Sequence, residues 1–125
     1  MSRFYIPLDK ITETKVLPDF SPITSISDFG LYEAFYGCTG LTGGVSFPSL
    51  TSIGSSGLYY AFRGCAGLTS VSFPSLTKIS SSGLQYAFQN CTGITEVHFK
   101  SSLSGNSECT ASNMGCTNAT VYFDL

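Results

Sequence analysis

The apolar positions of this chain follow one pattern that recurs three times. Leu31, Ala34, Phe35 and Cys38 stand at i, i+3, i+4 and i+7. Leu58, Ala61, Phe62 and Cys65 repeat the spacing, as do Leu84, Ala87, Phe88 and Cys91. Such a spacing marks one face of a short helix. Asp28, Ser55, Ser56, Ser81 and Ser82 stand just ahead of these stretches as expected N-caps. After each cysteine the period changes to two. In the second copy, residues 68–73 place Val71 and Phe73 inward as a strand does. Pro74 has no N–H to give to a ladder and ends the strand. The chain then returns through Leu76 and Ile79, both expected to point inward.

The unit recurs at intervals of 27 and then 26 residues, read from Cys38, Cys65 and Cys91. The extra residue of the first interval falls at Gly43-Gly44, where a strand is expected to bulge. One unit cannot bury its apolar side alone, so the copies must stack strand on strand. At ~4.8 Å per step, about four coils make a block ~20 Å long. Partial copies flank the three full ones. Residues 17–26 resemble the half from Phe47 to Ile53. Cys116 to Phe123 resembles Cys91 to Phe99, shortened by one residue. Residues 1–16, with Phe4, Ile6, Leu8 and Ile11, are the expected N-terminal cap. Residues 17–125 are then the solenoid, with a polar loop from Ser101 to Asn113 interrupting a C-terminal capping coil.

Charged residues make up only 11% of the chain, against roughly 25% in ordinary globular proteins. With 42% hydrophobic residues the chain is expected to fold rather than stay disordered. Its six Lys and Arg do not cluster and the net charge is −2, so no nucleic-acid partner is expected. No apolar run reaches the ~18 residues a membrane span needs, so no membrane insertion is expected. The apolar stretch at the N-terminus is short, broken by Pro7 and followed by Asp9 and Lys10, unlike a signal peptide. Synthesis in the cytoplasm without export is the resulting expectation.

No catalytic constellation is visible. His98 is the sole histidine, and the eight carboxylates show no close pair in the sequence. The glycines recur with the coil period and read as turn residues rather than a phosphate cradle. The expectation is a non-enzyme with no metal and no cofactor. Cys38, Cys65 and Cys91 share one column and read as buried structural thiols. Cys109 and Cys116 are the pair expected to bridge if any disulfide forms, and the odd count of five leaves at least one thiol unpaired. Asn90-Cys-Thr92 and Asn118-Ala-Thr120 match the glycosylation pattern, which carries no weight without an export signal.

The recurring Ala-Phe-x-Gly-Cys-x-Gly-Leu-Thr-Ser-Val-x-Phe-Pro string resembles the BspA-like leucine-rich repeats of bacterial surface proteins, over roughly residues 17–123. The resemblance implies an α/β solenoid: a short right-handed leucine-rich-repeat-like stack, a parallel sheet on one face and short helices on the other. It also implies binding or adhesion. Short chains of this kind without an export signal resemble proteins of gut bacteriophages. The leading expectation is therefore a structural or recognition component of a phage particle, with a bacterial surface adhesion module as the alternative. Protein is the expected partner, either a host surface receptor or further copies meeting through the coil ends. Positions that vary between coils are expected to do the binding. On the strand face these are Glu96, His98 and Tyr122. On the opposite face they are Tyr32, Tyr36, Tyr59, Tyr60, Arg63, Tyr86 and Gln89, types enriched in protein contacts.

Overall fold

The computed structural model describes residues 17–125. Each full coil contributes one strand to each of two parallel sheets. The first sheet is short, with β1 (Ser25–Ile26), β3 (Ser52–Ile53) and β5 (Lys78–Ile79) in that order. The second holds β2 (Gly43–Ser46), β4 (Leu68–Phe73), β6 (Glu96–Phe99) and β7 (Thr120–Tyr122). In the second sheet Val45, Val71, Val97 and Val121 lie in one register column, and Ser46, Ser72, His98 and Tyr122 in the next. The glycine pair does mark an irregularity: Gly43 lies opposite Leu68, but Gly44 lies opposite Ser70. β4 ends at Phe73, directly before Pro74. The stack of parallel coils agrees with the fold read from the repeat, whereas the number of sheets is two rather than one.

The helices expected between the sheets are not there. Residues 27–38 instead form linked turns, and the two later coils repeat them. In the first coil the N–H groups of Gly30, Tyr32, Ala34, Tyr36 and Cys38 donate to the carbonyls three residues back. The alternate N–H groups, of Phe29, Leu31, Glu33, Phe35 and Gly37, donate across to Ser55, Gly57, Tyr59, Ala61 and Arg63 of the next coil at 2.7–3.0 Å. An α-helix would use all of these donors internally and leave none to hold the next coil. Two turns span four residues, so they also bring Leu58, Ala61, Phe62 and Cys65 to one inner face. Apolar spacing alone does not separate this arrangement from a helix. The serines and Asp28 therefore cap no helix: Ser56 N–H donates to the Ser81 carbonyl, and Asp28 Oδ1 accepts from Ser55 N–H at 2.8 Å.

Linked turns demand left-handed backbone at fixed places. Phe29, Glu33 and Gly37 have φ of 56°, 55° and 72°, and Ser56, Tyr60 and Gly64 repeat this at 54°, 54° and 80°. Ser82, Tyr86 and Asn90 follow at 59°, 54° and 61°. A side chain held there costs about 1–2 kcal/mol, offset by the cross-coil bond that the turn makes possible. The glycine column has another cause. A Cβ at Gly30, Gly57 or Gly83 would stand 2.8 Å from Cγ2 of Ile26, Ile53 or Ile79, so only hydrogen fits.

Between the sheets and the turn row, identical side chains stack on each other. Phe35, Phe62 and Phe88 lie with ring centroids 5.0 and 5.4 Å apart and planes within 10°. Phe20, Phe47, Phe73, Phe99 and Phe123 form a second column with spacings of 4.5–5.9 Å. Ring spacing is thus set by the ~4.8 Å step of a parallel sheet. No polar or charged residue is fully buried among the described residues.

The cysteine column carries one more cross-coil bond. Cys65 Sγ donates to the Phe35 carbonyl at 3.1 Å and Cys91 Sγ to the Phe62 carbonyl at 2.9 Å. All five thiols are free and buried, so Cys109 and Cys116 form no disulfide. Burial pushes Cys65, Cys91 and Cys109 up to about 12 and Cys116 up to about 11.

At the C-terminal end the coil pattern is interrupted by a 3₁₀ turn (Ser101–Leu103) and α1 (Ala111–Met114). Thr110 caps α1, its Oγ1 accepting from Asn113 N–H at 3.0 Å. Leu103, Cys109 and Met114 are buried on the core. This segment satisfies the donors that the third turn row would pass to a further coil. Glu108 Oε2 accepts from Ser82 N–H at 3.2 Å, and Oε1 from Leu84 N–H at 3.1 Å. The Asn113 and Met114 carbonyls take Tyr86 and Phe88. Asn113 Nδ2 donates to Glu108 Oε1 at 3.1 Å and holds the carboxylate in place. Gly115, at φ 81°, passes so close to Gln89 that a Cβ would stand 2.8 Å from its Cα. The expected N-terminal cap, residues 1–16, lies outside the described residues.

Replacing Glu108 with Ala strands two N–H groups. We expect a loss of about 1–3 kcal/mol in chemical denaturation, with amide exchange accelerated at Ser82 and Leu84 before other sites. Unchanged exchange at those two amides would show that the carboxylate caps nothing. The thiols predict a pH dependence. They ionise from about 9 when unfolded and only near 11–12 when folded. The stability from this difference is therefore full below about pH 9 and falls as pH rises towards 12. Denaturation midpoints should drop between about pH 8 and about pH 10.5, and native thiols should resist a disulfide reagent that titrates all five in denaturant.

Candidate functional site

The residues singled out from the sequence fall into two groups. On the turn row, Tyr32 stacks on Tyr59 with centroids 5.4 Å apart and planes 5° from parallel. Tyr59 meets Tyr60 edge-on at 4.4 Å, and Tyr60 stacks on Tyr86 at 5.5 Å. The Arg63 guanidinium lies over two rings, 5.3 Å from the Tyr36 centroid and 5.0 Å from that of Tyr60. The result is a connected ribbon of aromatic rings and one cation across three coils. Tyr60 and Tyr86 both project from left-handed positions, so the backbone strain of the turns fixes where these rings lie. Hydrogen bonding with Tyr60 raises the Tyr59 hydroxyl above its usual pKa, helped by burial and the neighbouring phenols.

The ribbon is most open at its N-terminal end, where Tyr32 is 43% and Tyr36 47% exposed. Phe29, absent from the expected set, is 61% exposed and packs 5.9 Å from Tyr32. Nothing in the repeat pattern singled it out, because its counterparts Ser56 and Ser82 are polar. Gln89 stands apart from the ribbon. It is half-buried beneath Gly115, and its Oε1 is buried without a hydrogen-bond partner among the described residues.

The second group lies on the outer face of the four-stranded sheet. His98 Nε2 contacts Glu96 Oε1 at 2.8 Å, and its Nδ1 contacts Asp124 Oδ1 at 2.9 Å. The imidazole also stacks on Tyr122, with centroids 4.9 Å apart. The His98 side chain is 22% exposed and both carboxylates about half. His98 is therefore a clasped, half-buried group rather than a free solvent-facing one. Asp124, then Glu96, hold the imidazolium above its ordinary value of 6.5 against a small opposing effect of burial. This clasp supports the fold fully below about pH 6.5 and weakens as pH climbs through the raised value. Asp124 was not among the expected residues. The signal for it was its place two residues after Tyr122, the register partner of His98 in the final coil.

Among the described residues, no group of three or more His, Cys, Asp and Glu side chains is arranged to hold a metal. No described helix is long and apolar enough to cross a membrane.

Comparison with curated proteins and with solved structures finds no match. The family model for the BspA-type leucine-rich repeat region matches residues 16–122, in six copies. That span holds the stacked coils, both sheets and most of the C-terminal closure. Leucine-rich-repeat modules generally mediate protein–protein interaction. Matched over most of its length and built from the coils the repeat dictates, the chain belongs to the BspA-type leucine-rich repeat family.

Proposed function

We propose that this chain is a non-catalytic protein-recognition module whose contact surface is the aromatic ribbon of the turn row. The observation that carries the reading is the joining of Tyr32, Tyr36, Tyr59, Tyr60, Arg63 and Tyr86 into one stacked surface. Tyrosine and arginine supply large contact areas at central positions of interfaces. Rings already stacked on their neighbours lose little rotational freedom on binding, which lowers the entropic cost of association. The strand face ranks second. His98 there has both ring nitrogens held by carboxylates, which leaves neither one free to meet a partner or to act as a base.

Two settings fit such a module. A bacteriophage particle is the first and a bacterial cell surface is the second, both carried over from the resemblance of the repeat string. Mass spectrometry of purified virions against surface labelling of intact cells distinguishes them.

A photo-crosslinker at Tyr36 should capture a protein partner from host-surface extract, and one at Ser46 on the strand face should not. Arg63→Ala should weaken binding of the captured partner by about 1–3 kcal/mol, with Arg63→Lys intermediate. The double change Glu96→Ala and His98→Ala should leave binding intact. Equal capture from both faces, or binding indifferent to Arg63, would sink the ribbon as the contact surface.

A further inference from the structure

The turn row is stopped at its C-terminal end, and the four-stranded sheet beside it is not. β7 is the last strand of that sheet. Thr120 N–H donates to the Thr95 carbonyl at 2.9 Å, and Thr120 and Tyr122 stand opposite Glu96 and His98. Along a strand, alternate residues aim their backbone groups at opposite neighbours. Thr120 and Tyr122 therefore face β6, and the N–H and C=O groups of Val121 and Phe123 face outward. Neither outward N–H meets a carbonyl among the described residues.

The core thins at the same place. Val121 and Phe123 are half-buried where Val97 and Phe99 are at 0%. Phe123 ends its phenylalanine column, with the Phe99 ring 5.9 Å away on one side. Beside it, Tyr122 and Leu125 are 40% and 44% exposed. Strand edges are ordinarily kept from pairing by shortness, lysine, proline or a bulge. β5, the last strand of the three-stranded sheet, is two residues long and carries Lys78. The edge at residues 120–123 reads Thr-Val-Tyr-Phe and has none of these devices.

We propose that β7 pairs antiparallel with β7 of a second copy, about a two-fold axis at Tyr122. The open groups lie evenly on either side of that residue, so Val121 of each copy meets Phe123 of the other. Both pairs exchange N–H···O bonds in both directions, which uses every open group of the edge. On the core side, each Val121 side chain lies against Phe123 of the other copy and covers what was half-open. On the outer face Tyr122 meets Tyr122, and the Thr120 hydroxyl meets Asp124 rather than a like charge.

Other occupants match the edge less fully. A lone strand satisfies the backbone but brings no core of its own to continue the valine and phenylalanine columns. A stack joined head to tail needs the forward donors of the turn row as well. Glu108, Asn113 and Met114 already hold those of Ser82, Leu84, Tyr86 and Phe88. A two-fold contact needs the sheet edge alone and closes on itself, so assembly stops at two.

The test is sedimentation of the full chain at concentrations up to about 1 mM, with amide exchange read residue by residue at each. We expect a monomer–dimer equilibrium. Exchange at Val121 and Phe123 should slow as dimer forms, while Thr120 and Tyr122 stay protected throughout. Val121→Pro removes an outward N–H and no bond to β6, and should weaken dimerisation about tenfold or more. Tyr122→Cys should join two copies by a disulfide under mild oxidation. Thr120→Cys should not, because the two positions 120 lie four residues apart along the paired strands. The native thiols are buried and stay out of that reaction. A monomer at every concentration, with fast exchange at Val121 and Phe123, would overturn the proposal and leave the edge to a different protein. Slow exchange there in a monomer, indifferent to concentration, would overturn it in favour of another part of the same chain. A dimer in which both amides exchange freely would overturn it by placing the contact elsewhere. Should Val121→Pro unfold the chain, the concentration dependence of the unmodified protein still decides.

Discussion

Hydrogen bonds between coils set every other dimension of this molecule. The turn row sends alternate N–H groups to the next coil. The strand segments bond to neighbouring coils as well, Thr51 and Thr77 N–H donating back to the Thr24 and Thr51 carbonyls, so the whole backbone advances by one sheet spacing per coil. Anything lying between coils must then repeat at that spacing. Planar rings do so by stacking, as in the two phenylalanine columns. Small soft side chains do so by bonding backward, as Cys65 and Cys91 bond to the preceding coil. Glycine does so where the isoleucine before it leaves no room for a side chain. The sequence repeats because the hydrogen-bond spacing repeats.

The same constraint explains which features could be read from the sequence. The strand columns, the proline stop after Phe73 and the irregularity at Gly43-Gly44 all follow from alternation and residue count. The turn row was misread as helix because Leu, Ala, Phe and Cys at i, i+3, i+4 and i+7 satisfy both conformations. What separates the two is the destination of alternate N–H groups, which apolar spacing does not encode. Tyr60 and Tyr86 in left-handed backbone also run against a residue-by-residue expectation, since bulky side chains rarely sit there.

Single, unrepeated residues were hardest to read. Glu108 looked like one more polar residue of a loop, yet its carboxylate replaces the carbonyls of a missing coil. Its role depends on a three-dimensional return that no period announces. His98 and Glu96 were visible as neighbours on one strand face. The second carboxylate, Asp124, arrives only because the final coil brings it into place. In the aromatic ribbon the residue types were legible and the connections were not, since Arg63 joins Tyr36 of the coil before to Tyr60 of its own.

The closure at Glu108 gives the turn row a stop that is independent of how many coils precede it. Interior coils meet through the same bonds at each boundary, so a duplicated 26-residue segment between the second and third coils would find the same neighbours on both sides. Length can then change by unequal recombination within the gene while the terminal device stays untouched. Each added coil would lengthen the outer surface by one step and bring a fresh set of outward positions to vary. A protein of this build can change its reach by copy number alone, without redesign of its core.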